Sequence, residues 1–201
     1  MKSYDMSFLT QKIYNSPIQM FSLRTLQYLL EINKVSSLFK IVNRLVKSKV
    51  IVKIERDKYV VSNYSGSEFA LANFIYEPSY VSFESALSYY GILSQFPYEI
   101  TSATLKQTRS KQFNNKLYGY YKIKKTLFWG YLKQNDYLIA EKEKALADQI
   151  YLASKGIKVV HFEEYNLSNI DKIKLKTFLS KYPKTRQFQK SLKTLSHFMK
   201  I

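Results

Sequence analysis

The stretch SSLFKIVNRLVKSKVI, residues 36–51, decides the fold of the first part of the chain. Its apolar residues recur at i, i+3, i+4, i+7 and i+8, the spacing of one buried face of a helix. They are Leu38, Ile41, Val42, Leu45 and Val46. The other face is polar, and no acidic residue occurs from Ser36 to Lys53. Exposed helices usually mix both signs of charge, because Glu–Lys pairs at i and i+4 stabilise them. The acid-free face therefore indicates a polyanionic partner.

The neighbouring residues predict a second helix before this one and a hairpin after it. Ser22 is the expected N-terminal cap of a leucine-rich helix. A short connection leads from it to the helix of the opening stretch, whose expected cap is Ser36 or Ser37. The β-branched runs 50–54 and 58–61 flank a turn and predict a hairpin. Helix, turn, helix and hairpin follow in the order of a winged helix-turn-helix, whose second helix enters the major groove of DNA.

The polar face of this second helix and the hairpin supply the candidate DNA-binding residues. Asparagine can pair with adenine, and lysine and arginine donate to guanine or to phosphates. Lys49 and Asp57 stand where such domains commonly have glycine, so we expect a left-handed backbone at both. A three-helix module that binds protein instead of DNA would show the same pattern. The predicted DNA-binding residues are Ser36, Ser37, Lys40, Asn43, Arg44, Lys47, Lys53, Arg56 and Lys58.

The charge of the chain favours nucleic acid as the partner. The formal net charge is +17, from 32 Lys and Arg against 15 Asp and Glu. Residues 1–64 hold 11 basic and 4 acidic residues, and residues 153–201 hold 11 and 3, so both ends are basic. Such a field attracts polyanions, chiefly nucleic acid and secondarily anionic membranes. An A/T-rich genome would explain the excess of Lys over Arg, but it would not explain the shortage of acids.

The composition offers little for catalysis. Because there is no cysteine and only two histidines, thiolate nucleophiles and Cys- or His-ligated metals have no basis. The five glycines form no phosphate-binding fingerprint. Glu141, Glu143 and Asp148 alternate with lysines in a way typical of a solvated helix face. We therefore expect no enzyme activity, no cofactor and no metal. Without a signal peptide or a membrane-length apolar run, we expect a cytoplasmic protein with no membrane partner.

The sequence divides into two predicted domains, in an α+β fold. The polar segment SNYSGS, residues 62–67, indicates a hinge. We therefore predict a winged helix-turn-helix domain at 1–64 and a mixed α/β domain at 65–201. The elements predicted for the second domain include helices at 67–76 and 141–154 and strands at 98–104, 116–125 and 137–140.

Two basic segments of the second domain are further candidates for contacts. Residues 106–125 hold seven basic residues, four aromatic residues and no acidic residue. This mixture suits nucleic-acid backbones and bases, although alternating tyrosines also pack across strands. Lys106, Arg109 and Lys111 are the possible additional nucleic-acid contacts. The last helix, after Pro183, is amphipathic with a basic outer face, and we expect it to pack on its own domain, with docking on DNA or lipid as the alternative.

Two segments of the second domain carry a resemblance to a known family. YVSFESALSYYGIL (80–93) is similar to a Ser-Ala-Leu-x-x-x-Gly stretch, and EKALAD (143–148) is similar to a Glu-Lys-Ala-Leu-x-Asp helix. Together with the order of the elements, these segments resemble the AbiEi antitoxins of type IV toxin–antitoxin systems over roughly residues 20–155. The matching residues of the first segment are Ser85, Ala86, Leu87 and Gly91.

The resemblance implies an antitoxin of abortive infection, a form of phage defence. Such a protein represses its own operon by binding inverted repeats in promoter double-stranded DNA. It also counters a co-encoded nucleotidyltransferase-like toxin, without a stable direct complex. The resemblance implies a DNA-reading role for Ser36, Ser37, Lys40, Asn43 and Arg44, with Arg56 and Lys58 in support and Lys106, Arg109 and Lys111 on a basic strand. The alternatives are a winged-helix transcriptional regulator or adaptor without a toxin partner, and a nuclease or nucleotidyltransferase.

Overall fold

The computed structural model describes residues 5–199. The chain divides into two compact units, Met1–Ser67 and Glu68–Ile201, and helices and sheets occur in both, so the fold is α+β. The division falls at the end of the polar segment 62–67, a few residues after the predicted boundary. Within residues 5–199, no helix has the length and apolar character needed to cross a membrane.

The first unit packs three helices with a three-stranded antiparallel sheet in the order β1-β3-β2. The predicted cap of its second helix is confirmed, because the Ser22 hydroxyl accepts a hydrogen bond from the backbone N–H of Thr25 at 3.0 Å. The elements are α1 (Met6–Tyr14), β1 (Met20–Ser22), α2 (Leu23–Leu29), α3 (Val35–Lys47), β2 (Ile51–Glu55) and β3 (Lys58–Val61).

The apolar stripe predicted for α3 is confirmed, but its predicted cap is wrong. Four of the five apolar residues are buried in the core of the first unit, and Val46 is partly buried. The helix begins at Val35, before Ser36 and Ser37, because the carbonyl of Lys34 already accepts hydrogen bonds from two amides of the first turn. The residue in the cap position is Lys34, which makes no side-chain cap hydrogen bond. Both serines therefore lie inside the first turn.

The predicted hairpin and both left-handed positions are confirmed. Arg56 and Asp57 form the turn between β2 and β3. The φ angles are +55° at Lys49 and +57° at Asp57. At the end of α3, amide hydrogen bonds from Lys49 to Val46 and from Val50 to Leu45, at 3.0 and 2.9 Å, close the helix. Such closing bonds satisfy carbonyls at the helix end, although a side chain at positive φ is strained there.

The second unit is built around a six-stranded mixed sheet in the order β6-β7-β5-β4-β9-β8. The pairs β5–β7 and β4–β9 are parallel, and the others are antiparallel. The elements are α4 (Glu68–Ile75), β4 (Ser79–Val81), α5 (Phe83–Tyr89), β5 (Glu99–Thr104), β6 (Arg109–Phe113), β7 (Lys116–Lys122), β8 (Tyr131–Gln134), β9 (Tyr137–Ala140), α6 (Lys142–Ala153), α7 (Lys172–Leu179) and α8 (Arg186–Met199).

The basic segment 106–125 forms a hairpin at one edge of this sheet. Its strands β6 and β7 are joined at Asn114 and Asn115, which both have positive φ, as tight hairpin turns require. The strand predicted at 116–125 begins at Lys116, directly after this turn, but it ends earlier than predicted, at Lys122. The core of the unit lies around α6, which packs against α5, α7 and α8.

Candidate nucleic-acid interface

The predicted base-reading residues lie on the outward side of α3. Ser36, Lys40, Asn43 and Lys47 follow one another at i, i+4, i+7 and i+11, so they form one stripe opposite the buried leucines. We call these four residues the outer stripe, and all four are exposed. Arg44 is also exposed beside it, whereas Ser37 is half-buried. The structure thus brings five of the six α3 candidates together on the solvent side of one helix.

The outer stripe is electrostatically positive and unneutralised. Among residues 5–199, Lys40, Arg44 and Lys47 take part in no ion pair. No acidic residue occurs on α3. The positive end of the helix dipole lies at Val35, next to Ser36, and adds to the attraction for anions. This surface can donate hydrogen bonds and positive charge to a phosphate backbone, and Asn43 can both donate and accept.

The hairpin adds further cations. Lys53 on β2 and Arg56 in the turn are exposed, and Lys58 on β3 is half-buried. The Arg56 Nε lies 3.7 Å from the Asp57 carboxylate, but an ion pair between two exposed side chains adds little stability. Arg56 can therefore exchange this partner for a phosphate at small cost.

The three further candidates, Lys106, Arg109 and Lys111, belong to the second unit. The Lys106 ammonium and the Arg109 guanidinium lie 5.2 and 4.7 Å from the centre of the Tyr76 ring. Arg109 and Lys111 are half-buried on the edge strand β6. Cation–ring contacts of this kind hold the charges of Lys106 and Arg109 against the protein surface. Lys106 is nevertheless exposed.

The acidic residues of α6 do not form the solvated face that their pattern suggested. Glu143 is buried, and Lys144 and Asp148 are fully buried, both with an exposed fraction of 0%. The prediction was wrong because every residue from Glu143 to Leu152 is buried, so no side of this part of the helix faces water. The apolar residues of α6 are spread around the helix between the charged ones instead of forming one stripe, and this spread was the signal in the sequence that could have indicated a buried helix.

The buried ion pair is enclosed by hydroxyl groups, which we call the Lys144 cluster: Tyr80, Ser82, Lys144, Asp148 and Tyr182. The Lys144 ammonium contacts the Asp148 carboxylate and donates to Tyr80 Oη and Tyr182 Oη at 2.9 and 2.8 Å. The three hydroxyls donate to Asp148 at 2.7 to 2.9 Å. The cluster joins β4 and the residue after it, α6, and the loop that follows α7, which contains Tyr182. All five side chains are buried, and such burial fits a structural role better than catalysis.

Burial and charge shift the pKa values within the Lys144 cluster in opposite directions. Burial lowers the pKa of Lys144, and the Asp148 carboxylate opposes this effect. Burial, followed by the nearby Asp148 charge, raises the pKa of Tyr80 and Tyr182 well above 10. Both tyrosines therefore keep their protons as hydrogen-bond donors to Asp148.

Above about pH 10, the raised pKa of Tyr182 predicts a loss of stability. In the unfolded chain this tyrosine loses its proton near pH 10, whereas the native state keeps it. The contribution of Tyr182 to the free energy of unfolding is complete below pH 10. Above pH 10 this contribution falls by up to about 1.4 kcal/mol per pH unit. The lowered pKa of Lys144 has the opposite effect on stability. Below about pH 10.5 the unfolded chain holds this proton more firmly than the native state, so the free energy of unfolding rises with pH. We therefore expect Tyr182→Phe to flatten the decline in the free energy of unfolding, measured in urea from pH 8 to 11. Parallel curves for the two proteins would contradict this.

The comparisons with known proteins add no relative. No model of a known protein family matches the chain, and no curated protein matches it either. Among residues 5–199, no group of three or more His, Asp or Glu side chains is placed to hold a metal ion.

Proposed function

We propose that the first unit is a winged helix-turn-helix domain and that the protein is a repressor that binds double-stranded DNA. The outer stripe carries this proposal, because it presents exposed polar and cationic residues, with no acid, on a helix whose other side is fixed in the core. A helix of this kind fits the major groove of B-form DNA, where base edges are distinguishable. The hairpin formed by β2 and β3 is the wing.

On this proposal, the residues of α3 have different tasks. Asn43, on the outer stripe, is suited to pair bidentately with adenine, and Lys40 is suited to guanine or to a phosphate. Arg44 lies beside the stripe and Lys47 near the end of the helix, where both can contact phosphates. The wing cations add backbone contacts that position the domain and carry no sequence information directly.

We further propose that this repressor is an antitoxin of the AbiEi kind. The segments 80–93 and 143–148, in this order after the first unit, support the proposal. On this proposal the protein acts in the cytoplasm, binds inverted repeats in its own promoter and counters a co-encoded nucleotidyltransferase-like toxin without a stable complex. Co-expression of the protein with the product of the neighbouring reading frame tests whether it counters a toxin. Rescue of growth supports it, and a harmless neighbour leaves a regulator or adaptor without a toxin partner.

Two variants of α3 separate base reading from backbone contact. We expect Asn43→Ala to weaken binding to the DNA upstream of the protein's own gene by about 1–3 kcal/mol, and to weaken binding to random DNA much less. Lys47→Ala should weaken both by similar amounts, because phosphates are the same in every sequence. Fluorescence anisotropy with labelled duplexes gives the four dissociation constants.

The control for these variants is Asn63→Ala, which removes an exposed asparagine outside α3. Its affinity should equal that of the wild type on both duplexes. An equal loss for Asn43→Ala on both sequences would refute base reading by this residue. If the wild type did not bind the upstream duplex but sedimented with anionic liposomes, a protein or membrane adaptor would be favoured.

A further inference from the structure

Two apolar side chains are exposed on α3 beside the outer stripe. The exposed fractions are 55% for Val35 and 45% for Phe39. With Asn43, these residues fall at i, i+4 and i+8, so the three form a continuous row along the helix. Neither Val35 nor Phe39 belongs to the core cluster of the first unit. Both lie at the border of the buried face of α3, since Val42 follows them at i+7 and i+3. The row is therefore open to a partner that approaches the outer stripe.

The position of this row within α3 limits what the partner can be. Val35 and Phe39 occupy the first two turns of the helix, which are the turns that reach base edges when a recognition helix enters a groove. Ser36 and Lys40 directly follow them in the chain and place a hydroxyl and an ammonium group beside them, and Lys47 adds a second ammonium group near the end of the helix. An apolar protein surface would leave these ammonium groups without an anion. A major groove offers phosphates to the cations and an apolar group, the C5-methyl of thymine, to the apolar side chains.

We propose that Val35 and Phe39 contact thymine methyl groups, so that the ligand of α3 is a duplex site in which thymines lie next to an adenine paired with Asn43. This inference rests on the proposed function, and it adds the chemical class of the bases that are read. The row spans two helical turns, so Phe39 is placed to contact a base close to the one that pairs with Asn43. Phe39 is on this account a specificity-determining residue, whereas the lysines supply affinity for any sequence.

The experiment uses the full chain and replaces thymine with deoxyuridine, which pairs with adenine but lacks the C5-methyl. A duplex bound by the wild type is first selected from a random library, and its thymines are then replaced one at a time. We expect affinity to fall by about fourfold at a contacted position, the effect of removing one buried methyl group. Phe39→Ala should bind the thymine duplex more weakly, and it should no longer distinguish thymine from deoxyuridine at that position.

The matched control is Phe96→Ala, which removes an exposed phenylalanine from the second unit. It should keep the fourfold difference between the two bases. If the wild type binds the selected duplex but no deoxyuridine substitution weakens it, the thymine inference fails and DNA binding stands. An equal loss for Phe39→Ala on both bases also overturns the inference. If no duplex is enriched from the library, the proposed function fails as well.

Discussion

Replacing Asp148 with alanine is expected to lower the free energy of unfolding of the second unit by about 3–5 kcal/mol. The variant leaves the Lys144 ammonium fully buried without its counter-ion, and it removes the acceptor of three buried hydroxyls. The cost of an unpaired buried charge exceeds that of most surface substitutions. Trp129 is the only tryptophan of the chain, and its ring lies 5.2 Å from the Lys144 ammonium. Its fluorescence in urea therefore reports the unfolding of this unit.

Two further variants show whether charge causes this loss. Asp136→Ala removes an exposed acid from the turn between β8 and β9, and it should change stability by less than about 0.5 kcal/mol. The double variant Lys144→Met, Asp148→Leu removes both charges and should recover much of the loss, because an apolar pair of similar volume often replaces a buried ion pair without cost. A double variant as unstable as the single one would assign the loss to the hydroxyl network instead.

Binding to duplex DNA is expected to weaken steeply with salt. If α3 and the hairpin of β2 and β3 neutralise about 6–10 phosphates, the affinity should fall by about 10³–10⁵ between 50 and 200 mM salt, because each contact releases condensed counter-ions. Lys40, Arg44 and Lys47 are exposed without ion-pair partners among the described residues, so they are free to make such contacts. The slope of log Kd against log salt concentration, from anisotropy titrations, measures this.

Single lysine variants show how much each lysine contributes to this salt dependence. Lys53→Ala, on β2, should reduce the slope by about one, because one phosphate contact is lost. Lys133→Ala removes an exposed lysine from β8 in the second unit, and it should leave the slope unchanged. A wild-type slope near zero would show that phosphates are not the ligands of this surface.

The parts of the structure that follow local rules could be predicted from the sequence. The stripe of α3, the hairpin and the left-handed backbone at Lys49 and Asp57 each depend on residues close in the chain. The predicted cap residue of α3 was wrong because the first turn begins before both serines, where the backbone carbonyl of Lys34 accepts the amide hydrogen bonds and no serine hydroxyl takes part. Every residue has a backbone carbonyl, so the residue types alone do not show which carbonyl begins the helix.

The Lys144 cluster could not be predicted, because its members are far apart in the chain. Tyr80 precedes Lys144 by 64 residues and Tyr182 follows it by 38. The spacing of Lys144 and Asp148 alone is the same as that of an ordinary exposed pair. The exposed apolar row of α3 was missed for a different reason, since Phe39 and Val35 break the polar pattern of that face and a search for polar residues passes over them.

The short strand β1 has a practical consequence for the expression of the first unit by itself. Met20, Phe21 and Ser22 pair with β3, and Phe21 is fully buried, while Leu9 and Ile13 of α1 complete the same core. A fragment trimmed to start at α2 would lose this strand and expose the edge of β3, and exposed sheet edges are prone to self-association. The smallest fragment worth expressing therefore begins ahead of α1, and cutting closer would yield aggregates whose failure to bind says nothing about recognition.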